Sequence, residues 1–266
     1  MPAALEQRMD IHGKTVLITG ASEGIGAACA ASFRRRGARL SLVARSEDKL
    51  RRIAAEGELI TVGDLTDAGV RQTCVERTVE RFGSLDILIN NAGVGLYVPA
   101  HRATTDQVRR LAELNLFVPL ELIQLAVPHM ERRGGGFIVN VGSIGGKVTL
   151  PWMTLYSVTK YALGSLTNGL RIELRAKGIQ CMVVCPGYVK TGFQGNVIGG
   201  RVPPAVERGR RFGITAGECA EAMARGVEKN KRTVMAPPVG WVLVGLSRLF
   251  PAIVDWQMHR MYRSLE

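Results

Sequence analysis

An α/β fold, with a doubly wound, seven-stranded parallel sheet and helices on both faces, is predicted by three observations. Seven short runs of β-branched and aliphatic residues are continuous rather than alternating, as strands buried on both faces are. Amphipathic helical patterns separate them, giving the strand–helix alternation of such a sheet. Gly37, Gly57, Gly83, Gly134 and Gly178 stand just past helix ends, where a left-handed residue closes a helix.

The elements follow in order. Thr15–Thr19 (TVLIT) is the first strand and Ile25–Arg36 the first helix. Arg39–Val43 and Leu59–Val62 are strands flanking a helix over Ser46–Glu56. A helix over Asp67–Phe82 leads to the strand Leu85–Ile89. One long helix, Thr104–Glu131, precedes the strand Gly136–Val141, and Thr154–Lys177 is the next helix. Gln180–Val184 and Thr233–Ala236 complete the sheet. No linker, repeat or low-complexity tract interrupts the chain. Residues 1–236 therefore form one domain and residues 237–266 an apolar extension packing on that domain or a partner.

Composition narrows the function classes. The 266 residues are 46% hydrophobic and carry a formal net charge of +12, which excludes disorder and fibrous proteins. The basic residues are dispersed near helix ends, with no groove-reading motif, so no nucleic-acid partner is expected. The five cysteines (Cys29, Cys74, Cys181, Cys185, Cys219) fit no zinc or CxxC spacing and read as reduced thiols. The four scattered histidines give no metal site. Met1–Asp10 has no apolar signal core, so a cytoplasmic location is expected, with peripheral membrane contact as the alternative.

A phosphate loop follows the first strand: Thr19-Gly20-Ala21-Ser22-Glu23-Gly24-Ile25-Gly26. Glycines at a strand-to-helix junction permit a tight turn and close approach of main-chain N–H groups to a diphosphate at a helix N-terminus. The spacing is GxxxGxG, which in this context marks a dinucleotide-binding, Rossmann-type sheet rather than a plain turn. The second strand ends at Val43-Ala44-Arg45-Ser46. With Arg45 present and no acid at Ala44 or Ser46, NADP(H) is expected in preference to NAD(H), Ser22 sharing its 2′-phosphate. Asp64 and Leu65 after the third strand, and Asn90-Asn91-Ala92-Gly93 after the fourth, lie at the carboxyl ends where open α/β sheets bind ligands.

Ser143 follows the fifth strand, and Tyr156 and Lys160 stand one helical turn apart. A phenol with an ordinary pKa of about 10 is a poor acid–base catalyst, and a neighbouring cation lowers it. Ser143 can hold a substrate oxygen. Asn115, a mediocre helix former inside a long helix, can hold a water linked to Lys160.

Together these motifs resemble the short-chain dehydrogenase/reductase family from residue 14 to about 236. The resemblance rests on TGASEGIG (Thr19–Gly26), Asp64, NNAG (Asn90–Gly93), Asn115, Ser143, Tyr156, Lys160 and PGYVKT (Pro186–Thr191), with the family's usual spacing of 13 between Ser143 and Tyr156. It implies that Tyr156 is the general acid/base, that Lys160 lowers its pKa and binds the nicotinamide ribose, that Ser143 orients the carbonyl, and that Asn115 sustains a proton relay. It also implies that Pro186, Gly187, Val189 and Thr191 border the nicotinamide and its phosphate. Glu23 departs from the pattern, since several NADP-preferring relatives are basic there.

The implied reaction interconverts a ketone or aldehyde and an alcohol. Aromatic and aliphatic residues after Gly93, Ser143 and Pro186, including Trp152, Tyr188 and Phe193, suit a hydrophobic small molecule that is steroid-, terpenoid- or acyl-chain-like. Gly195, Gly199 and Gly200 suggest a lid between Thr191 and Gly213. The tail is similar to the extensions of hydroxysteroid-type relatives. It is expected to pack over the substrate pocket or a dimer partner, with an interfacial helix on a membrane as the rival reading. Thr104–Glu131 and Thr154–Lys177 are the helices by which the family usually forms homodimers, a tetramer being the alternative. Rival functions are 3-ketoacyl reduction, a catalytically silent NADP sensor and a nucleic-acid binder.

Overall fold

The computed structural model describes residues 8–200, 202 and 213–263. Seven parallel strands run in the order β3-β2-β1-β4-β6-β7-β11, where β1 is Thr15–Thr19, β2 Arg39–Ala44, β3 Leu59–Val62, β4 Ile87–Asn90, β6 Gly136–Val141, β7 Ile179–Pro186 and β11 Thr233–Ala236. Chain order reverses between β1 and β4, which opens the crevice that such sheets use for ligands. Alternate residues of each strand feed two separate cores. Val16 and Ile18 of β1 join Phe33, Leu40, Leu42 and Met223 on one face. Leu17 joins Leu85, Leu88, Ile123 and Met130 on the other. This two-sided burial is why the strands are apolar throughout.

On the first face lie α1 (Gly24–Arg34) and α7 (Ala216–Glu228), packed through Cys29 and Met223. On the other lie α3 (Ala68–Phe82), α4 (Thr105–Ala112), α5 (Val118–Arg132) and α6 (Thr154–Glu173). The short α2 (Glu47–Ile53) links β2 to β3. Gly83 and Gly178 close α3 and the turn after α6 in the left-handed conformation that the sequence assigned to them. All five cysteines are free and buried.

Three departures from the sequence reading are local. The fourth strand begins at Ile87, and the Asp86 carboxylate just before it accepts the Thr15 amide at 2.8 Å. The second helix stops at Ile53, whose carbonyl accepts from Arg34. The long helix is interrupted by a π-helical turn, Glu113–Phe117, where Val118 N–H reaches back to the Glu113 carbonyl. Pro119 has no N–H for the Asn115 carbonyl and its ring crowds that position, so the wider turn is the accommodation. The helix α7, not assigned from sequence, carries a capping box in which Thr215 and Glu218 satisfy each other's amides.

Small strands complete the rim. β5 (Gly95–Tyr97) pairs with β9 (Val197–Gly200), and β8 (Val189–Lys190) with β10 (Ile214–Thr215). The expected lid is thus partly a paired strand. Gly200, at φ +81°, lies against the Tyr97 carbonyl, so its lack of Cβ serves close pairing rather than hinging. The remainder of that expected lid, positions 201 and 203–212, lies outside the described residues. The chain ends in a helical hairpin, α8 (Gly240–Leu249) and α9 (Pro251–Arg263).

The crevice depends on Gly26. A Cβ there would stand 2.2 Å from the Gly20 carbonyl oxygen and 2.6 Å from Asn91 Nδ2. We expect Gly26→Ala to cost about 1–3 kcal/mol through forced backbone displacement and to lower Tm by about 3–10 °C in a thermal melt. An unchanged Tm would show that the loop moves aside freely.

Candidate active site

The phosphate loop is clamped from β4. Asn91 Nδ2 donates to the carbonyls of Thr19 (2.9 Å) and Gly20 (3.1 Å). The Thr19 hydroxyl accepts from the amides of Asn91 and Ala92. Gly24, at φ +56°, faces Thr191 from the PGYVKT segment, where a Cβ would lie 3.3 Å from that side chain. Glu23 precedes α1 in extended conformation but does not cap it, and the first turn of α1 contains no acidic residue. The amides of this helix end therefore face the loop uncapped, a setting suited to a diphosphate. Ser22 and Ser46 commit neither hydroxyl to a protein hydrogen bond among the described residues. This cradle fits the pyrophosphate and ribose of a dinucleotide.

Around it the expected cofactor residues take different roles. Arg45 is largely exposed and, among the described residues, its ion pair is a 3.9 Å contact with Asp64. Asp64 Oδ1 accepts from the Thr66 amide and hydroxyl, which hold its carboxyl below the usual range. The cap of α3 is Asp67 instead, whose carboxylate accepts the Gly69 amide. Leu65 buries its side chain in the core beneath α3, which leaves its main chain for a ligand. Ile25 and Val189 also turn apolar side chains to the core, while Gly187 N–H donates to the Ala236 carbonyl beside Pro186. Gly93 lies against Asn115 Oδ1 and Lys160 Nζ, 3.2 and 3.5 Å from the place of a Cβ.

Ser143, Asn115, Tyr156 and Lys160 converge at the carboxyl ends of β4 and β6. Asn115, fully buried in the π turn, accepts from Val94 N–H and donates to the Val94 carbonyl and the Thr159 hydroxyl. It so ties the strand after β4 to the helix that carries the Tyr–Lys pair. Lys160 Nζ donates to the Val141 carbonyl at 2.9 Å and lies 5.7 Å from the centre of the Tyr156 ring. Burial lowers the Lys160 pKa to about 8. Burial also pushes the Tyr156 phenol well above its usual range, with hydrogen bonding to Ser143 as the opposing influence. The expected depression of Tyr156 by Lys160 is therefore absent from the cofactor-free site, because desolvation outweighs a cation held at a distance by a carbonyl. The consequence is a fully protonated phenol at neutral pH, the form a proton donor needs.

An apolar wall surrounds the phenol. Leu96, Tyr97, Trp152 and Met153 are buried with Tyr156, and the Phe193 ring is centred 6.0 Å away. Trp152 and Phe193 thus reach the expected place. Tyr188 is partly exposed. Met258 and Met261 of α9 join the wall from the end of the chain. Nothing local in the sequence placed those two methionines. Arg71 was also missed, since an Arg on an amphipathic helix reads as surface. It is buried and donates to the Leu65 carbonyl at 2.6 Å while pairing with Glu121 and, more distantly, Glu113 of the π turn.

The comparisons agree with this geometry. Residues 14–200 match the family model described as short chain dehydrogenase. The chain is 31% identical over 264 residues to dehydrogenase/reductase SDR family member 7B of Danio rerio, covering 94% of this chain and 85% of that one. It is 30% identical over 270 residues to 11-beta-hydroxysteroid dehydrogenase of Pinus massoniana, covering 95% and 75%. Among solved structures, 3-ketoacyl-(acyl-carrier-protein) reductase from Brucella melitensis complexed with NADH superposes with a TM-score of 0.77 at 25% identity, covering 85% and 96%. The chain belongs to the short-chain dehydrogenase family, and it is an oxidoreductase.

The desolvated Lys160 gives a measurable consequence. Below about pH 8 its amine is charged and above that it is neutral, whereas an exposed lysine changes near 10.4. An NMR titration of the Lys160 side chain in the cofactor-free protein should show its midpoint near 8. A midpoint at the ordinary lysine value would refute the desolvation.

Proposed function

We propose that this protein is an NADP(H)-dependent reductase and dehydrogenase that interconverts a hydrophobic ketone or aldehyde and its alcohol. The observation that carries the reading is the meeting of Tyr156, Ser143 and Lys160 beside an apolar wall, at the same sheet edge as the phosphate cradle. The dinucleotide supplies or accepts the hydride. Ser143 holds the substrate oxygen, and the protonated Tyr156 phenol donates its proton there as the alcohol forms. In the reverse direction the phenolate takes that proton back. Lys160 would hold the nicotinamide ribose and stabilise the phenolate, its ammonium lying over the Tyr156 ring. Asn115 relays protons between Lys160 and solvent.

Arg45, just after β2 and with no acid at Ala44 or Ser46, favours the 2′-phosphate of NADP(H) over the free hydroxyl of NAD(H). NAD(H) remains a usable second cofactor, as the NADH-bound Brucella relative illustrates for itself. The wall of Trp152, Met153, Phe193, Met258 and Met261 suits a steroid, terpenoid or acyl chain. The name of the Pinus relative, a hydroxysteroid dehydrogenase, points the same way, and that of the Brucella reductase makes 3-ketoacyl reduction the second reading. We expect Tyr156→Phe to lower kcat by about 10²–10⁴-fold while NADPH binding is retained, measured by NADPH oxidation over a panel of steroids, ketones and acyl substrates. Full turnover in that variant would overturn the mechanism.

We also propose a homodimer through α5 and α6, where Phe117 of the π turn before α5 and Val158, Tyr161 and Ile172 of α6 are exposed. The terminal hairpin is proposed to rest on an anionic membrane surface. Trp241, Val242, Leu246, Leu249, Phe250, Ile253 and Trp256 are exposed on it, and Arg248, Arg260 and Arg263 outnumber its one acid, Asp255. The protein should sediment with phosphatidylserine-containing vesicles and lose this on Phe250→Glu or Trp256→Glu. If those variants instead dissociate the dimer and leave sedimentation unchanged, the face belongs to a second copy.

A further inference from the structure

Glu23 occupies a position where a cation would favour NADP(H), and its carboxylate is committed in two directions. Its Oε2 accepts from Lys49 Nζ at 2.6 Å, and its Oε1 accepts from Asn196 Nδ2 at 2.6 Å. Lys49 projects from α2, one helical turn beyond Arg45, so this bond carries its ammonium across to the phosphate loop beside Ser22. A cation therefore stands at this part of the loop even though residue 23 is acidic. Its charge is cancelled locally, as Arg45 is faced by Asp64. The four groups sum to zero, two cations and two carboxylates, with Ser22 next to Glu23 and Ser46 next to Arg45 in the chain.

We propose that Lys49 is a second ligand for the 2′-phosphate and that Glu23 competes with the phosphate for it, moderating the preference for NADP(H). This rests on the NADP(H) reading above. A doubly charged phosphate between Arg45 and Lys49 would gain charge-assisted bonds from both. A carboxylate hydrogen-bonded to one of those cations opposes this twice, by occupying the donor and by repelling the anion. NADH presents a neutral hydroxyl at the same place and is indifferent to the exchange. Because the Lys49 pair is about half exposed, the effect is one of modest discrimination and is screened by salt.

Asn196 gives Glu23 a second consequence and supplies the control. It follows the turn Phe193–Gly195, whose Phe193 ring faces Tyr156, so Glu23 links the phosphate loop to the substrate wall. Glu23→Gln removes the charge yet keeps an oxygen to accept from Asn196. Asn196→Ala breaks that link and leaves the Lys49 pair intact.

The test is equilibrium binding by quenching of tryptophan emission, with NADPH, NADH, adenosine 2′,5′-bisphosphate and adenosine 5′-monophosphate as ligands. Lys49→Met should weaken NADPH and the bisphosphate by about tenfold and change NADH and the monophosphate less than about twofold. Glu23→Gln should tighten NADPH by about fivefold with NADH unchanged, and raised salt should shrink that gain. Asn196→Ala should leave the NADPH-to-NADH ratio as in the parent protein. Unaltered NADPH binding in Lys49→Met, equal losses for both dinucleotides, or weaker NADPH binding in Glu23→Gln would each overturn the proposal. A shifted ratio in Asn196→Ala would overturn it too, assigning the effect to the segment around Phe193. Arg45→Ala separates this from the underlying reading. If it weakens NADPH while Lys49→Met does not, only the role of Lys49 fails. If the parent protein binds NADH as tightly as NADPH and Arg45→Ala changes neither, the NADP(H) reading itself fails.

Discussion

The contact between Gly26, the Gly20 carbonyl and the Asn91 amide governs much of this molecule's organisation. It draws the first turn of α1 onto the phosphate loop and fixes the loop to the end of β4. The gap between β1 and β4 then opens toward the carboxyl edge of the sheet with main-chain N–H groups pointing into it. No side chain at residue 26 is compatible with that approach, so the ligand crevice and the packing of α1 on the sheet are decided by one close backbone contact. Thr19, whose hydroxyl accepts two amides of the NNAG turn, reinforces the same junction.

A second constraint orders the chemical end of the crevice. Pro119 cannot complete the hydrogen bond of a regular helix to the Asn115 carbonyl, and the helix widens there into a π turn. Asn115 is thereby brought between the strand after β4 and α6, where its amide ties Val94 to Thr159. The neighbouring Lys160 rests against Gly93 and the Val141 carbonyl. Arg71 anchors the far side of this assembly by joining the Leu65 carbonyl to the acids of the π turn and α5. Desolvation in this site holds both titratable groups toward their neutral forms: the phenol protonated, the amine uncharged above about pH 8.

The charge excess also takes on a spatial meaning. Arg34, Arg35 and Arg36 are consumed in pairs with Glu58, Glu221 and Glu228 that bind α1 to its neighbours. Arg45 and Lys49 each face an acid at the cradle. Three arginines of the terminal hairpin flank its exposed apolar face instead. Basic residues thus serve in structural pairs, in a balanced ligand mouth and along a basic, apolar tail.

By itself the sequence determined the order of seven strands, the two-sided burial of the sheet, the glycine ends of the helices and the grouping of Ser143, Tyr156 and Lys160. These follow from residue period and short spacing, which act locally and survive without knowledge of the fold. The π turn was half legible: Asn115 stood out as a poor helix former, and Pro119 four residues on was the unread signal for its displacement. Tertiary structure alone decided the rest. Leu65 faces the core because of the direction in which α3 lies. Met258 and Met261 meet Tyr156 across a hundred residues, and Glu23 meets Lys49 and Asn196 from three separate segments. Contacts of that kind depend on where whole elements dock, and no period or spacing along the chain encodes the distance between two side chains that only packing brings together.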